Sequence, residues 1–117
     1  MQEFEHIHTF YFLGIGGIGM SALARYFAAN GYLVKGYDRT PSVLTSQLEA
    51  EGISVQYDAD LEVVSGLEVD STVVVRTPAV ADDFALLVWL RERGFRIMKR
   101  AEVLGMVTRH SCALCVA

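Results

Sequence analysis

The sequence predicts an α/β domain of the Rossmann-like type, with three layers and a mainly parallel sheet. Short, nearly continuous apolar runs alternate with helical segments of about a dozen residues, which is the pattern of βαβ units. Crossover connections between parallel strands are right-handed, so the helices are expected to cover both faces of the sheet. A glycine cluster separates the first apolar run from the first helical segment. With 117 residues, the chain is long enough for one domain with a single core.

Local signals place each element in turn. The strands are the runs rich in β-branched and aromatic residues, and 71–76 is the clearest of them. Glycines end three of the helices, at Gly31, Gly52 and Gly94. Thr40 is expected to cap the second helix, with Pro41 at its first helical position. The predicted strands are 9–14, 32–37, 53–57, 71–76 and 95–98, and the predicted helices are 18–30, 41–51, 82–93 and 100–109, with a weak helix or a loop at 61–66.

The C-terminal residues predict the beginning of a further buried strand, at 112–116. We therefore expect a domain at 1–110, with 111–117 as the start of a strand that continues into a longer protein. Cys112 and Cys115 would point to opposite faces of such a strand. They are expected to be reduced and buried rather than joined in a disulfide or bound to a metal.

Composition and charge exclude several classes of protein. The chain is 52% hydrophobic and 21% charged, which is typical of a folded domain. Its net charge of −4 argues against a nucleic-acid partner, which requires a basic face, but a local site can still be positive. The N-terminus has no basic targeting region, and no apolar run approaches the length of a membrane helix. The expected location is the cytoplasm, with no membrane partner.

The glycine cluster is the first candidate for a binding site. Gly14, Gly16 and Gly19 match the pattern G-x-G-x-x-G between a strand and a helix. The first glycine allows a tight turn, the second allows a diphosphate to approach the backbone, and the third allows helix and strand to pack closely. The N–H groups at the helix start favour an anion. The alternative is a glycine-rich turn that serves packing alone.

Two further segments are expected at the same edge of the sheet. Asp38 follows the second strand, about 20 residues after the third glycine, where a carboxylate can accept hydrogen bonds from a ribose; alternatively it is a turn or cap residue. Arg39 lies beside it. The loop after the fourth strand, which begins at Thr77 and Pro78, either borders the ligand or is a plain connection.

No catalytic constellation is present. His6, His8 and His110 have no evident nucleophile or metal partner, and the P-loop pattern G-x-x-x-x-G-K-[ST] is absent. The residues thus predict a domain that binds a molecule with a diphosphate and a ribose. They leave open whether that molecule is NAD or a UDP-sugar.

The run 12–24 (Phe-Leu-Gly-Ile-Gly-Gly-Ile-Gly-Met-Ser-Ala-Leu-Ala) resembles the N-terminal signature of the Mur ligases. The resemblance continues through 36–40, 75–80 and 99–105, and so covers essentially the whole chain. It is nearest to the family members that join L-alanine to UDP-N-acetylmuramate. It implies that this domain binds the UDP part of that substrate in peptidoglycan precursor synthesis.

The resemblance also implies which residues bind the ligand and which parts lie elsewhere. ATP and Mg²⁺ would be bound by a following domain, which the strand at 112–116 would enter, and L-alanine would be bound with help from a third domain. The chain alone would have no cofactor and no catalytic residue, and would be inactive. The implied substrate-binding residues are Gly14, Gly16, Gly17, Ile18, Gly19, Met20 and Ser21 around the diphosphate, Asp38 and Arg39 near the uridine, and Thr77, Pro78 and Ala79 at its border.

One segment departs from the family pattern. Many relatives have a Ser-Ser-Ala-Ile sequence followed by Asn-Pro-Glu, where this chain has Thr77-Pro78-Ala79-Val80 followed by Asp82-Asp83-Phe84.

The residues themselves are also compatible with two other functional classes. One is the NAD-binding half of an oxidoreductase, which would prefer NADH to uridine nucleotides; the other is a nucleotide-sensing regulatory domain.

Overall fold

The fold was analysed in a computed structural model that describes residues 6–58, 61–78 and 80–110. Ala79, both cysteines and the strand expected at 112–116 lie outside these residues.

The described residues form a single parallel sheet of five strands in the order β3-β2-β1-β4-β5. This confirms the predicted α/β class. Leu13, the last residue of β1, lies opposite the last residues of β2 and β4, Tyr37 and Arg76. Three strands therefore end side by side at one edge. The strands are β1 (Thr9–Leu13), β2 (Leu33–Tyr37), β3 (Ser54–Gln56), β4 (Thr72–Arg76) and β5 (Arg96–Lys99).

Helices cover both faces of this sheet, as predicted. Alternate residues of β1 point to opposite faces: Phe10 and Phe12 join one apolar cluster, and Tyr11 and Leu13 join the other. The helices are α1 (Ile18–Ala29), α2 (Val43–Ala50), α3 (Leu61–Ser65), α4 (Ala85–Glu92) and α5 (Arg100–His110), with a short 3₁₀ turn at Val69–Ser71. The first cluster includes side chains of α1, α2 and α5, and the second includes side chains of α3 and α4.

Aromatic packing fixes α1 on the sheet. The ring of Phe27, on α1, stacks on that of Phe10 with centroids 3.8 Å apart. Tyr32 packs edge-on against both rings, with centroid distances of 5.1 and 5.6 Å. All atoms of Phe10 and Phe27 are buried. This anchoring sets the position of the α1 N-terminus relative to the end of β1.

Two helices begin later than the sequence predicts. Helix α2 starts at Val43, because Ser42 and not Thr40 is its N-cap: Ser42 Oγ accepts a hydrogen bond from Thr45 N at 3.2 Å, and Thr45 Oγ1 accepts one from Ser42 N at 2.8 Å. Pro41 therefore lies before the cap. Helix α4 starts at Ala85 rather than at residue 82.

Arg76 accounts for the later start of α4. Its guanidinium donates hydrogen bonds to Asp82 Oδ1 at 2.5 Å and to Val80 O at 2.8 Å. These bonds hold the residues before α4 in a loop at the end of β4. The loop consequently faces the same edge of the sheet as the glycine cluster.

Candidate functional site

A cleft of about 640 Å³ lies where β1, β2 and β4 end. In open α/β sheets, ligands bind at this edge, where the strand order reverses on either side of the first strand. The cleft brings together three segments that are distant in sequence: the glycine loop, the loop after β2 and the loop after β4. Its lining residues are Gly14, Gly16, Gly17, Tyr37, Asp38, Arg39, Thr40, Ser42, Thr77, Val80, Ala81 and Phe84.

The loop between β1 and α1 is a tight turn whose N–H groups are used within the chain. Gly14 has a φ of +90°, a conformation that strains any residue with a Cβ. Gly14 N and Ile15 N both donate to Tyr37 O, at 2.8 and 3.0 Å. Gly17 N donates to Gly14 O at 3.2 Å. The loop is thereby fixed to the end of β2.

The start of α1 offers N–H groups to an anion. Gly17 is the N-cap and provides no side-chain cap, and the first helical turn contains no acidic residue. The first hydrogen bond of the helix runs from Ser21 N to Gly17 O, at 2.8 Å. The N–H groups of residues 18–20 precede it, so the helix itself gives them no acceptor. Together with the helix dipole, they favour a bound anion such as phosphate.

Neither Met20 nor Ser21 presents its side chain to the cleft, and the main-chain N–H of Ser21 already donates to Gly17 O. Their side chains are buried in the core, and Ser21 Oγ donates to Ile18 O at 2.9 Å. Ile18, by contrast, is 82% exposed at the rim of the site. These three residues do not line the cleft itself.

Two of the three fingerprint glycines, Gly16 and Gly19, make room for contacts other than those that the pattern alone suggests. A Cβ on Gly16 would lie 2.5 Å from Asp38 Oδ2. A Cβ on Gly19 would lie 2.8 Å from Arg100 Nη1, so this glycine makes room for a guanidinium rather than for a strand. The close packing onto a strand occurs at Gly36 instead, where a Cβ would lie 2.6 Å from Ile15 Cδ1.

Asp38 lines the cleft and is also a turn residue. Its Oδ2 accepts a hydrogen bond from Gly16 N at 2.7 Å, and its Oδ1 accepts one from Thr40 N at 3.1 Å. The two possibilities left open by the sequence are therefore compatible. Each carboxylate oxygen has a second lone pair that can accept a hydroxyl. Arg39 lies next to it on the cleft wall and is exposed.

The loop after β4 contributes to two neighbouring clefts. Thr77 lines the main cleft, whereas Pro78 lines a second one of about 380 Å³ beside Arg76 and Lys99. The hydrogen bond from Arg76, and then its positive charge, lower the pKa of Asp82. The expected contact of Ala79 lies outside the described residues.

Sequence reasoning assigned no role at this site to several residues that the structure places there. Tyr37 and Phe84 form an apolar wall of the cleft, with ring centroids 5.0 Å apart. Arg100 stands beside Gly19, and Gly36 allows β2 to approach the glycine loop. The sequence did carry a signal for Gly36, because it is a glycine inside a predicted strand. The proximity of Arg100 depends on how α5 packs against α1, which no local pattern reveals.

Over residues 6–58, 61–78 and 80–110, three or more His, Cys, Asp or Glu side chains nowhere come together in a group that could hold a metal ion. Within those same ranges, each helix is too short or too polar to cross a membrane.

Comparison with known proteins identifies the family. The model described as "Mur ligase family, catalytic domain" matches residues 9–111. The UDP-N-acetylmuramate–L-alanine ligase of Christiangramia forsetii is 48% identical over 120 residues, covering 100% of this chain and 26% of the relative. The ligase of that name from Porphyromonas gingivalis is 52% identical over 109 residues, or 92% of this chain and 24% of the relative. The chain thus spans about a quarter of the length of these curated relatives.

A solved structure shows the same fold. The UDP-N-acetylmuramate–alanine ligase of Thermotoga maritima matches with a TM-score of 0.78 and 30% identity, covering 88% of this chain and 23% of that one. The family resemblance of the glycine loop is thereby confirmed. Since the family model matches most of the sequence, the chain belongs to the Mur ligase family.

Proposed function

We propose that this chain is the N-terminal, UDP-binding domain of an ATP-dependent UDP-N-acetylmuramate–L-alanine ligase of peptidoglycan precursor synthesis. The observation that carries the proposal is the identity of 48% and 52% to ligases of that name, over 92% or more of the chain. The position of the cleft at the carboxyl edge of the sheet supports it. A location in the cytoplasm, where ATP is present, is part of the proposal.

The proposal also says which steps belong to this chain, which spans about a quarter of the length of its curated relatives. Residues 1–110 bind the UDP part of the substrate, and 111–117 lead into the domain that binds ATP and Mg²⁺. The sequence has no P-loop motif, and its described residues have no cluster suited to a metal. Binding of L-alanine and formation of the amide, with ATP converted to ADP and phosphate, belong to the rest of the ligase. The chain alone has no ligase activity.

The geometry of the cleft supports the following substrate-binding roles, which are part of the proposal. The N–H groups of residues 18–20 receive the diphosphate, whose negative charge the helix dipole favours. Asp38 and Arg39 lie on the side of β2 and contact the uridine. Thr77 and Pro78 border the ligand on the side of β4. The side chains of Met20 and Ser21 support the helix start from the core.

The test is a thermal-shift titration of the chain with UDP-N-acetylmuramate, UDP and NADH in parallel. A ligand at about 100 times its dissociation constant stabilises by roughly 2.7 kcal/mol, or several degrees for a domain of this size. The proposal predicts a shift with both uridine ligands and none with NADH. A shift with NADH alone would favour the oxidoreductase instead.

A further inference from the structure

We propose that Asp38 is a positioning residue for the phosphate subsite, acting through the backbone of the glycine loop. The inference rests on the proposed function and gives this residue a role beyond contact with the nucleoside. Oδ2 accepts from Gly16 N at 2.7 Å, and Oδ1 accepts from Thr40 N at 3.1 Å. The main chain of Asp38 is itself held, because its N–H donates to Gln56 O at 3.0 Å. The carboxylate therefore ties the glycine loop to a rigid point at the end of β2.

This contact changes which N–H groups are open to a ligand. Gly16 N is already occupied, because it donates to the Asp38 carboxylate at 2.7 Å. The remaining N–H groups of the loop before α1 donate to main-chain oxygens within the loop or at the end of β2. The first N–H groups without a partner from the turn or the helix ladder are those of residues 18–20. The phosphate is consequently received at the helix start.

Charge reinforces this arrangement. A carboxylate 2.7 Å from Gly16 N repels a phosphate oxygen that approaches the same N–H, since like charges at such distances interact strongly away from bulk water. Asp38 thus holds the loop and keeps the phosphate off it. The space needed for the carboxylate also explains the glycine, because a Cβ at position 16 would lie 2.5 Å from Oδ2.

The test compares two variants that both lack the charge of Asp38. In Asp38→Asn the amide oxygen can still accept from Gly16 N, whereas in Asp38→Ala nothing replaces the acceptor. Dissociation constants are measured for UDP and for inorganic pyrophosphate, which has no nucleoside, by NMR titration of the whole chain. Peak dispersion in the ¹⁵N–¹H spectrum checks that each variant is folded. Asp38→Leu is the second variant without an acceptor, should Asp38→Ala not fold.

A positioning role predicts that the variant without an acceptor binds both ligands more weakly than Asp38→Asn, by about fivefold or more, as expected for one lost hydrogen bond. It also predicts that, before any ligand is added, the chemical shift of the Gly16 amide proton differs from its wild-type value more in Asp38→Ala than in Asp38→Asn. Equal pyrophosphate affinity of the two variants would overturn the inference, and so would a wild type that binds UDP but not pyrophosphate. A wild type that does not bind UDP would instead contradict the proposed function.

Discussion

The guanidinium of Arg100 lies against Gly19 at the start of α1, so closely that a Cβ on this glycine would be 2.8 Å from Nη1. Arg100 begins α5 and is half-buried. Within the described part of the chain it forms no ion pair. Arg100 is therefore a cation that has no carboxylate partner among the described residues, and it stands beside the N–H groups that we assign to the diphosphate.

Replacing this cation is expected to weaken nucleotide binding. Arg100→Ala should reduce the affinity for UDP about tenfold, because a hydrogen bond to a charged group contributes roughly 1.5–3 kcal/mol. Isothermal titration calorimetry measures the change. Arg93→Ala is the matched control, since Arg93 stacks on Trp89 at the far end of α4, 4.7 Å from the ring centroid. Equal affinities of the two variants would show that Arg100 does not face the ligand.

A larger residue at Gly16 is expected to abolish binding while the sheet stays folded. Valine there would displace the Asp38 carboxylate and collide with Thr45 Cγ2, which would lie 3.0 Å from the new Cβ. Gly16→Val should thus lose detectable UDP binding and keep the circular dichroism of the wild type. In the control Gly105→Val, on α5, nothing lies within 4 Å of the new Cβ. Retained UDP binding by Gly16→Val would refute the assignment of the loop.

The capping box of α2 is expected to contribute measurably to stability. Ser42→Ala removes the oxygen that accepts from Thr45 N at 3.2 Å, and should lower the free energy of unfolding by about 1 kcal/mol. Urea unfolding at neutral pH measures this change in the free energy of unfolding. Ser46→Ala, on the exposed face of the same helix, is the control and should change stability far less. If Thr40 were the true cap, Thr40→Ala and not Ser42→Ala would be the destabilising change.

The Arg76–Asp82 pair is expected to make stability depend on pH. Arg76 lowers the pKa of Asp82 in the folded chain below its ordinary value of 3.8. The stabilisation is therefore present above about pH 4 and is lost as the pH falls through the folded-state pKa. Urea unfolding at pH 7 and at pH 3 should show Asp82→Asn to be less stable than the wild type at pH 7, with a smaller difference at pH 3. A difference that grows on acidification would contradict the assigned direction, and Asp83→Asn is the control.

The sequence was sufficient for the sheet but not for the contacts at the site. The run 71–76 contains three consecutive valines at 73–75, and an uninterrupted apolar stretch of this kind is typical of a strand buried on both faces. The glycine loop was likewise predictable, because a strand, a turn and a helix follow one another within a few residues. Side-chain contacts between distant segments, such as Asp38 with Gly16 and Arg100 with Gly19, arise only when the sheet and helices pack.

The two helix boundaries were predicted wrongly for different reasons. Thr40-Pro41 has the sequence of a helix start, but the reciprocal hydrogen bonds of Ser42 and Thr45 place the cap two residues later. At α4, the two aspartates and the phenylalanine at 82–84 are compatible with the first turn of a helix. Their helix is prevented by tertiary contacts of Arg76, a residue on β4 that local propensity does not take into account.

Chemical-shift mapping of UDP on the ¹⁵N-labelled chain tests the proposed site most directly. UDP should shift the amide signals of residues 18–20 and of Asp38 and Thr77, and leave those of the opposite edge of the sheet, near His8 and Leu33, unchanged. Saturable shifts confined to the cleft would support a UDP-binding domain. Shifts elsewhere, or none at millimolar UDP, would contradict it.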